Sequence, residues 1–342
     1  MKNVLLVTYF YPPRQPDFAG RHAHGLVKYL PQFGWEATVL TARLPGPFPA
    51  DNVQETEYDD VLSKYKWLLG IKSGDRLMHN VAEVKSKFHV PDFILRTAGE
   101  WLAFPDPQKG WLKHATKYHE QWEEYDAVLS ISPPVTSHLI AQKIKERTGK
   151  PWIAYMLDPW SLNHYSPYSW IRLLRDMRLE HDTLQNADEI VTISQAIAGK
   201  LMMFHERPTH SVPLGYDPDD YKERTLSNEF SIVHTGTLHE GYQDPEPLFK
   251  ALQELYADGL INPDHVYLYF YGPKHKWLDK LAGKYGIRIA QYGIVPHAMA
   301  LKMQQLAQVL LLLKWNDPEE KGIINSKLSE YLGARRPILA IG

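Results

Sequence analysis

At 342 residues the chain exceeds what one hydrophobic core usually serves, and with 44% hydrophobic and 23% charged residues it has the material for two. A formal net charge of -2 lacks the basic surplus of a nucleic-acid binder. The absence of cysteine excludes disulfides, thiolate metal sites and cysteine nucleophiles, and leaves the compartment undecided by redox.

The opening MKNVLLVTYFYPP has a charged start and an apolar run, but it lacks a small-residue cleavage site and breaks at Pro12-Pro13. It reads as a first strand rather than a signal peptide, which makes the cytoplasm the expected location. No apolar run is long enough to cross a bilayer. Short runs rich in branched and aromatic residues then alternate with segments at helical period. They are VLLVTYF (4–10), ATVLTA (37–42), AVLSIS (127–132), WIAYML (152–157) and EIVTIS (189–194), followed by FSIVHTG (230–236), VYLYFYG (266–272), IRIAQYG (287–293), VLLLLKW (309–315) and PILAIG (337–342). Strands alternating with helices predict parallel sheets covered on both faces, with ligands collecting outside the C-terminal strand ends. The proline- and acid-rich stretch SVPLGYDPDDYKERTLSNEF separates the two series. The expected division is therefore a domain over 1–215, a linker over 216–229 and a domain over 230–342.

Several positions carry chemistry. A glycine-led loop after VLLLLKW opens a helix at Asn325-Ser326. Free amides there attract phosphate, Lys327 adds a cation, and Glu330 sits one turn in, where a carboxylate accepts two hydrogen bonds from vicinal hydroxyls. Read plainly, Ser326 is an N-cap and Glu330 a solvated helix residue. Asp158 directly follows WIAYML, so it projects from the C-terminal rim of a sheet; the alternative is a turn and N-cap at Asp158-Pro159. Arg21, His22 and His24 open the first helix, and Arg21 is preferred among them because a fixed guanidinium suits phosphate or carboxylate. Asp217 and Asp219 have the spacing of a divalent-cation pair, but beside Pro218 they read as turn residues. The 16 histidines show no metal-ligand spacing. No GxGxxG is present, which weighs against a dinucleotide oxidoreductase. Lysines interleave with Trp67, Leu68, Leu69 and Ile71 between Asp59 and Lys87, the pattern of an amphipathic helix packed on the first domain or lying on an anionic membrane.

The wording of these segments resembles the retaining glycosyltransferases of family four, which have the GT-B fold. KLSEYLGARRPILA resembles the donor-site helix, YPPRQPDFAGRHAHGLVKYLPQFGW the N-terminal loop and helix, and HTGTLHEGYQDPEPLFKAL the first loop of the donor domain. WLAFPDPQKGW, YDAVLSISPPVTSHL and KPWIAYMLDPWSLN resemble one subgroup in the same order. The resemblance implies two Rossmann-like, doubly wound domains facing across a cleft, the second one truncated after PILAIG. It implies sugar transfer with retention from a nucleoside diphosphate sugar to a saccharide or lipid-linked acceptor, without a cofactor or an obligatory metal, at the inner face of the membrane and for polysaccharide or glycolipid synthesis.

By the same resemblance Gly20, Gly236, Thr237, Gly272, Ile294, Val295, Ser326, Lys327 and Glu330 bind the donor, with Glu330 on the ribose. Arg21, Asp106, His138, Asp158 and Trp160 face the acceptor or sugar, and Asp158 and Lys327 take the catalytic positions. The chain departs from the family in four places, one of them the single glycine, Gly20, where the family's loop often has two or three. Gly322 stands where a second glutamate is common, with Glu319 and Glu320 nearby; Leu157 replaces an arginine or histidine; and Tyr242-Gln243 replaces a loop lysine or arginine. The missing tail, the missing loop cation and Leu157 keep open an inactive nucleotide-sugar-binding protein, and a sugar-nucleotide epimerase of related fold is a second alternative.

Overall fold

The computed structural model describes residues 1–14, 17–47, 51–61, 100–117, 119–163, 168–221, 226–318 and 326–342. The amphipathic segment between Asp59 and Lys87 lies almost wholly outside them, as do Glu319, Glu320 and Gly322. The chain forms two compact units, Met1–Val212 and Pro213–Gly342.

The first unit is built on seven parallel strands, β1 Lys2–Val7, β2 Trp35–Ala42, β3 Val53–Thr56, β4 Ala127–Ser132, β5 Trp152–Met156, β6 Glu189–Thr192 and β7 Thr209–Ser211, in the order β3-β2-β1-β4-β5-β6-β7. The continuous apolar run of β1 is buried on both faces, as a central parallel strand requires. Helices α1 Phe18–Tyr29, α2 Thr136–Thr148, α3 Trp170–Leu184 and α4 Gln195–His205 connect the strands. Their starts follow local chemistry: Asp17 accepts from the Gly20 amide at 2.7 Å, Ser169 from Arg172, and Ser194 from Ile197. Gly149, at φ +68°, ends α2 and returns its N–H to the Lys145 carbonyl.

The second unit has five parallel strands, β8 Phe230–Thr235, β9 Val266–Tyr271, β10 Ile289–Gly293, β11 Val309–Leu313 and β12 Ile338–Ile341, in the order β10-β9-β8-β11-β12. Alternate leucines of β11 feed two separate cores. Leu311 and Leu313 pack with Phe249 and Leu252 of α5 (Glu246–Ala257) and Leu278 of α6 (Lys276–Lys284). Leu310 and Leu312 pack with Ala307, next to α7 (His297–Leu306), and with Tyr331 and Ala334 of α8 (Ser326–Ala334). Each fully buried leucine contributes about 1.5–3 kcal/mol, so β11 anchors both layers. The chain leaves β8 toward β9 and β11 toward β12, which opens a crevice at the C-terminal ends of β8 and β11. The stretch expected as a linker, 216–229, starts inside this unit: Tyr216 and Tyr221 pack edge to face and lie against Gly333 of α8, where a β-carbon would come within 2.6 Å of the Tyr221 ring.

Candidate active site

In the second unit three glycines stand at the ends of three adjacent strands. Gly236 follows β8, Gly272 follows β9 and Gly293 closes β10. Gly272 donates its N–H to the Gly293 carbonyl at 2.9 Å, and Gly236 donates to the Tyr271 carbonyl at 2.7 Å. A β-carbon on Gly272 would strike the Gly236 peptide, so this rim is packed backbone on backbone. Gly236 has φ +110°, and its missing side chain is the space through which Lys327 passes. Lys327 donates from Nζ to the Thr237 carbonyl at 3.4 Å. Desolvation lowers the pKa of its ammonium, with Glu330 opposing that shift.

Glu330 lies one turn along α8 and is held at both oxygens. Its Oε1 is 3.0 Å from His297 Nε2, and its Oε2 accepts from Gln304 Nε2 at 2.9 Å. Gln304, fully buried, also donates to Thr235 Oγ1 at 2.9 Å, which ties the carboxylate to the end of β8. Tyr331, also fully buried, accepts from the Thr235 amide at 3.1 Å and bonds to the Leu311 carbonyl. Burial raises the Tyr331 phenol to about 12, so it stays a neutral donor. Ser326 begins α8, and its carbonyl accepts from Ser329 Oγ. Ile294 is 82% exposed just past the rim, while Val295 packs into the core beside α7 and α8.

His297 and Gln304 are site residues that the sequence did not disclose. They lie 33 and 26 positions from Glu330, and no local pattern links them to it.

In the first unit the expected residues separate into exposed and interior sets. Asp158 is exposed just past β5, and desolvation by the surrounding protein raises its pKa. Arg21 is half-buried in the first turn of α1, its charge acting on Asp17. Three of the expected residues lie in the interior of the unit. His138 is wholly buried, with Nδ1 2.7 Å from Ser130 Oγ and Nε2 2.8 Å from Ser132 Oγ, so both ring nitrogens are used inside the fold. Burial pushes its pKa down to about 3. Trp160 is buried, and its indole N–H points at Asp176 Oδ1 at 3.3 Å. Gly20 is buried against the loop after β1, where a β-carbon would lie 2.6 Å from the Phe10 carbonyl oxygen; its need for glycine is met by packing inside the unit.

Asp106 caps α2, accepting from the Thr136 amide and Thr136 Oγ1 at 2.7 Å each and from Gln108 N at 2.8 Å. Desolvation nevertheless raises its pKa, outweighing those bonds. The loop carrying Asp158 is fixed from below by buried acids of α3: Asp176 pairs with Arg172 at 2.5 Å, and Glu180 accepts from the Ser161 amide at 2.8 Å and from Ser161 Oγ while standing 3.2 Å from His205 Nε2. Asp217 caps a single turn by accepting from the Asp219 amide at 3.0 Å, the turn role read for that pair. Among the described residues no group of three or more histidines and acids is arranged to hold a metal, and no helix is long and apolar enough to cross a membrane.

The chain thus has two doubly wound parallel-sheet units, with a lysine and a carboxylate at the strand ends of the second, and comparison with known proteins shows the glycosyltransferase family and the GT-B fold to which they belong. The profile of Glycosyltransferase Family 4 matches residues 19–220, more than half of the chain, and the chain belongs to that family. Among solved structures it is similar to the Anabaena protein HepE in complex with UDP and glucose, at 13% identity and a TM-score of 0.54, covering 99% of this chain and 80% of that one. It is also similar to a UDP-forming α,α-trehalose-phosphate synthase from Burkholderia xenovorans, at 13% identity and a TM-score of 0.59, covering 99% and 84%. No match was found among curated protein sequences.

Proposed function

We propose that this glycosyltransferase moves a sugar, with retention of anomeric configuration, from a nucleoside diphosphate sugar to a hydroxyl of a saccharide or lipid-linked acceptor in polysaccharide or glycolipid synthesis. One observation carries the reading: Lys327 crosses the Gly236 rim while Glu330, one turn on, is fixed by His297 and Gln304. A cation at a glycine-lined strand end suits a diphosphate, and an oriented carboxylate suits the ribose diol. Solved relatives of the same fold hold UDP with glucose, and UDP-glucose.

In this reading Gly236, Thr237, Ser326 and Lys327 take the diphosphate, Glu330 the ribose, and the backbone of Gly272, Ile294 and Val295 the base. Asp158 and Arg21 serve the acceptor or the transferred sugar. Catalysis then consists mainly of stabilising the departing diphosphate and holding the acceptor on the same face of the sugar, so fixed charge matters more than a side-chain nucleophile. Cytoplasmic placement, at the inner face of the membrane, belongs to the same reading.

Glu330→Ala tests it. Loss of hydrogen bonds to a charged acceptor, about 1.5–3 kcal/mol, raises the donor Kd about tenfold or more. Unchanged donor affinity rejects the ribose role. The Tyr242-Gln243 departure favours a second reading, a nucleotide-sugar-binding protein without turnover, because Gln243 is used to fasten its loop, donating to the Leu313 carbonyl at 3.1 Å. Donor hydrolysis and transfer assays separate the two: binding without either reaction supports the binder.

A further inference from the structure

We propose that Tyr242 and Trp315 form an aromatic subsite for the sugar ring of the donor, a pyranose with an apolar C–H face; this rests on the nucleotide-sugar reading above. Tyr242 lies in the loop that leaves β8, and Trp315 lies two positions past the end of β11. Those two strands flank the point where the sheet's connections diverge, and the two rings pack edge to face with centroids 4.4 Å apart at 79°.

The contact is fastened on both sides. Gln243 forms a backbone bridge with Trp315, donates from Nε2 to the Leu313 carbonyl and accepts the His239 amide at 3.2 Å. Within this strapped loop Tyr242 is still 46% exposed, and Trp315 is half-buried. An edge-to-face pair that is braced from behind and exposed in front is not completing a core. It offers a rigid apolar plane with a polar hydroxyl at its margin, the chemistry that accepts the C–H face of a sugar while its hydroxyls stay bonded elsewhere.

Its position along the sheet gives the ligand a direction. The loop bearing Tyr242 starts at Gly236, where Lys327 Nζ bonds to Thr237, and the glycine rim runs from there toward β9 and β10. With the diphosphate at Gly236 and the base toward β10, the sugar falls on the β11 side, where the two rings stand. The loop that in related sequences supplies a cation here supplies a ring, so this enzyme selects its donor partly by the apolar face of the sugar.

The experiment compares binding of a nucleoside diphosphate with that of its sugar ester, by titration calorimetry, for wild type, Tyr242→Ala, Tyr242→Phe and Trp315→Ala. The ligand pairs are UDP and UDP-glucose, GDP and GDP-mannose, and dTDP and dTDP-glucose. For the pair that binds wild type, Tyr242→Ala and Trp315→Ala are expected to weaken the sugar ester about three- to tenfold, the range of one aromatic contact, with the free diphosphate unchanged. Tyr242→Phe is expected to retain at least half of the difference. Equal loss for both members of a pair, or loss matched by a fall in Tm without ligand, would make the rings a loop brace and overturn the subsite while leaving the nucleotide-sugar reading intact. A wild type that binds no member of any pair overturns both.

Discussion

Gly236 is the position at which backbone geometry and ligand chemistry are most directly coupled. At φ +110° any side chain is strained, and a β-carbon there would meet Lys327, 3.2 Å from Nζ and closer to Cε. Gly236→Ala therefore carries a backbone cost of about 1–3 kcal/mol. The steric part relaxes differently, because the lysine terminus is flexible and swings away, which removes the ammonium from the rim. For a unit of this size roughly 3–4 °C of Tm corresponds to each kcal/mol, so the expected fall is about 3–12 °C. Donor affinity falls about tenfold with loss of the cation contact, near 1.4 kcal/mol. Scanning calorimetry and donor titration on wild type, Gly236→Ala, Lys327→Ala and the double variant separate the two effects. The Tm loss of Gly236→Ala should persist in the Lys327→Ala background, since it does not involve the lysine. The two binding losses should not add, since they remove one contact. An unchanged Tm in Gly236→Ala would refute the strain, and additive binding losses would refute the claim that alanine acts through Lys327.

Gly272→Ala drives a β-carbon into the Gly236 peptide, 2.9 Å from its carbonyl carbon, and backbone cannot swing aside; a loss of about 2–3 kcal/mol is expected, measured by denaturant titration. Gly25→Ala in α1 is its control, with nothing within 4 Å of the added carbon and a gain of about 0.5–1 kcal/mol. Burial lowers His138 and His234 to about 3 and His22 to about 4 from an ordinary 6.5. The unfolded chain therefore binds more protons than the native one between those values, and stability present above pH 6.5 is lost as pH falls toward 4. Each such histidine contributes a slope of about 1.4 kcal/mol per pH unit. Desolvation raises Asp106 and Asp158, which act with the opposite sign, so the decisive measurement is a difference. His138→Gln should lose less stability than wild type between pH 6.5 and 4, and parallel curves would show that His138 does not titrate with unfolding.

The apolar runs located the central strands because parallel strands covered on both faces leave a continuous hydrophobic signature. The strands missed were β3 and β7, whose sequences VQET and THS are short and polar and lie at the sheet edges. The placement of Lys327 and Glu330 was legible for a local reason: three positions on one helix fix both side chains near one strand end. Contacts made over long separations were not legible. Nothing local pairs His297 or Gln304 with Glu330, or Tyr242 with Trp315. His138 was singled out by resemblance alone; it lies in the first turn of α2, where Ser130 and Ser132 of β4 engage both ring nitrogens inside the unit.

The double tether on Glu330 has a consequence for how binding energy is used. A free glutamate loses rotamer entropy when a ligand orders it, whereas here His297 and Gln304 have already selected one conformer. A guest arriving at that carboxylate finds it preorganised, and the affinity gained from each new bond is not reduced by the cost of immobilising the acceptor.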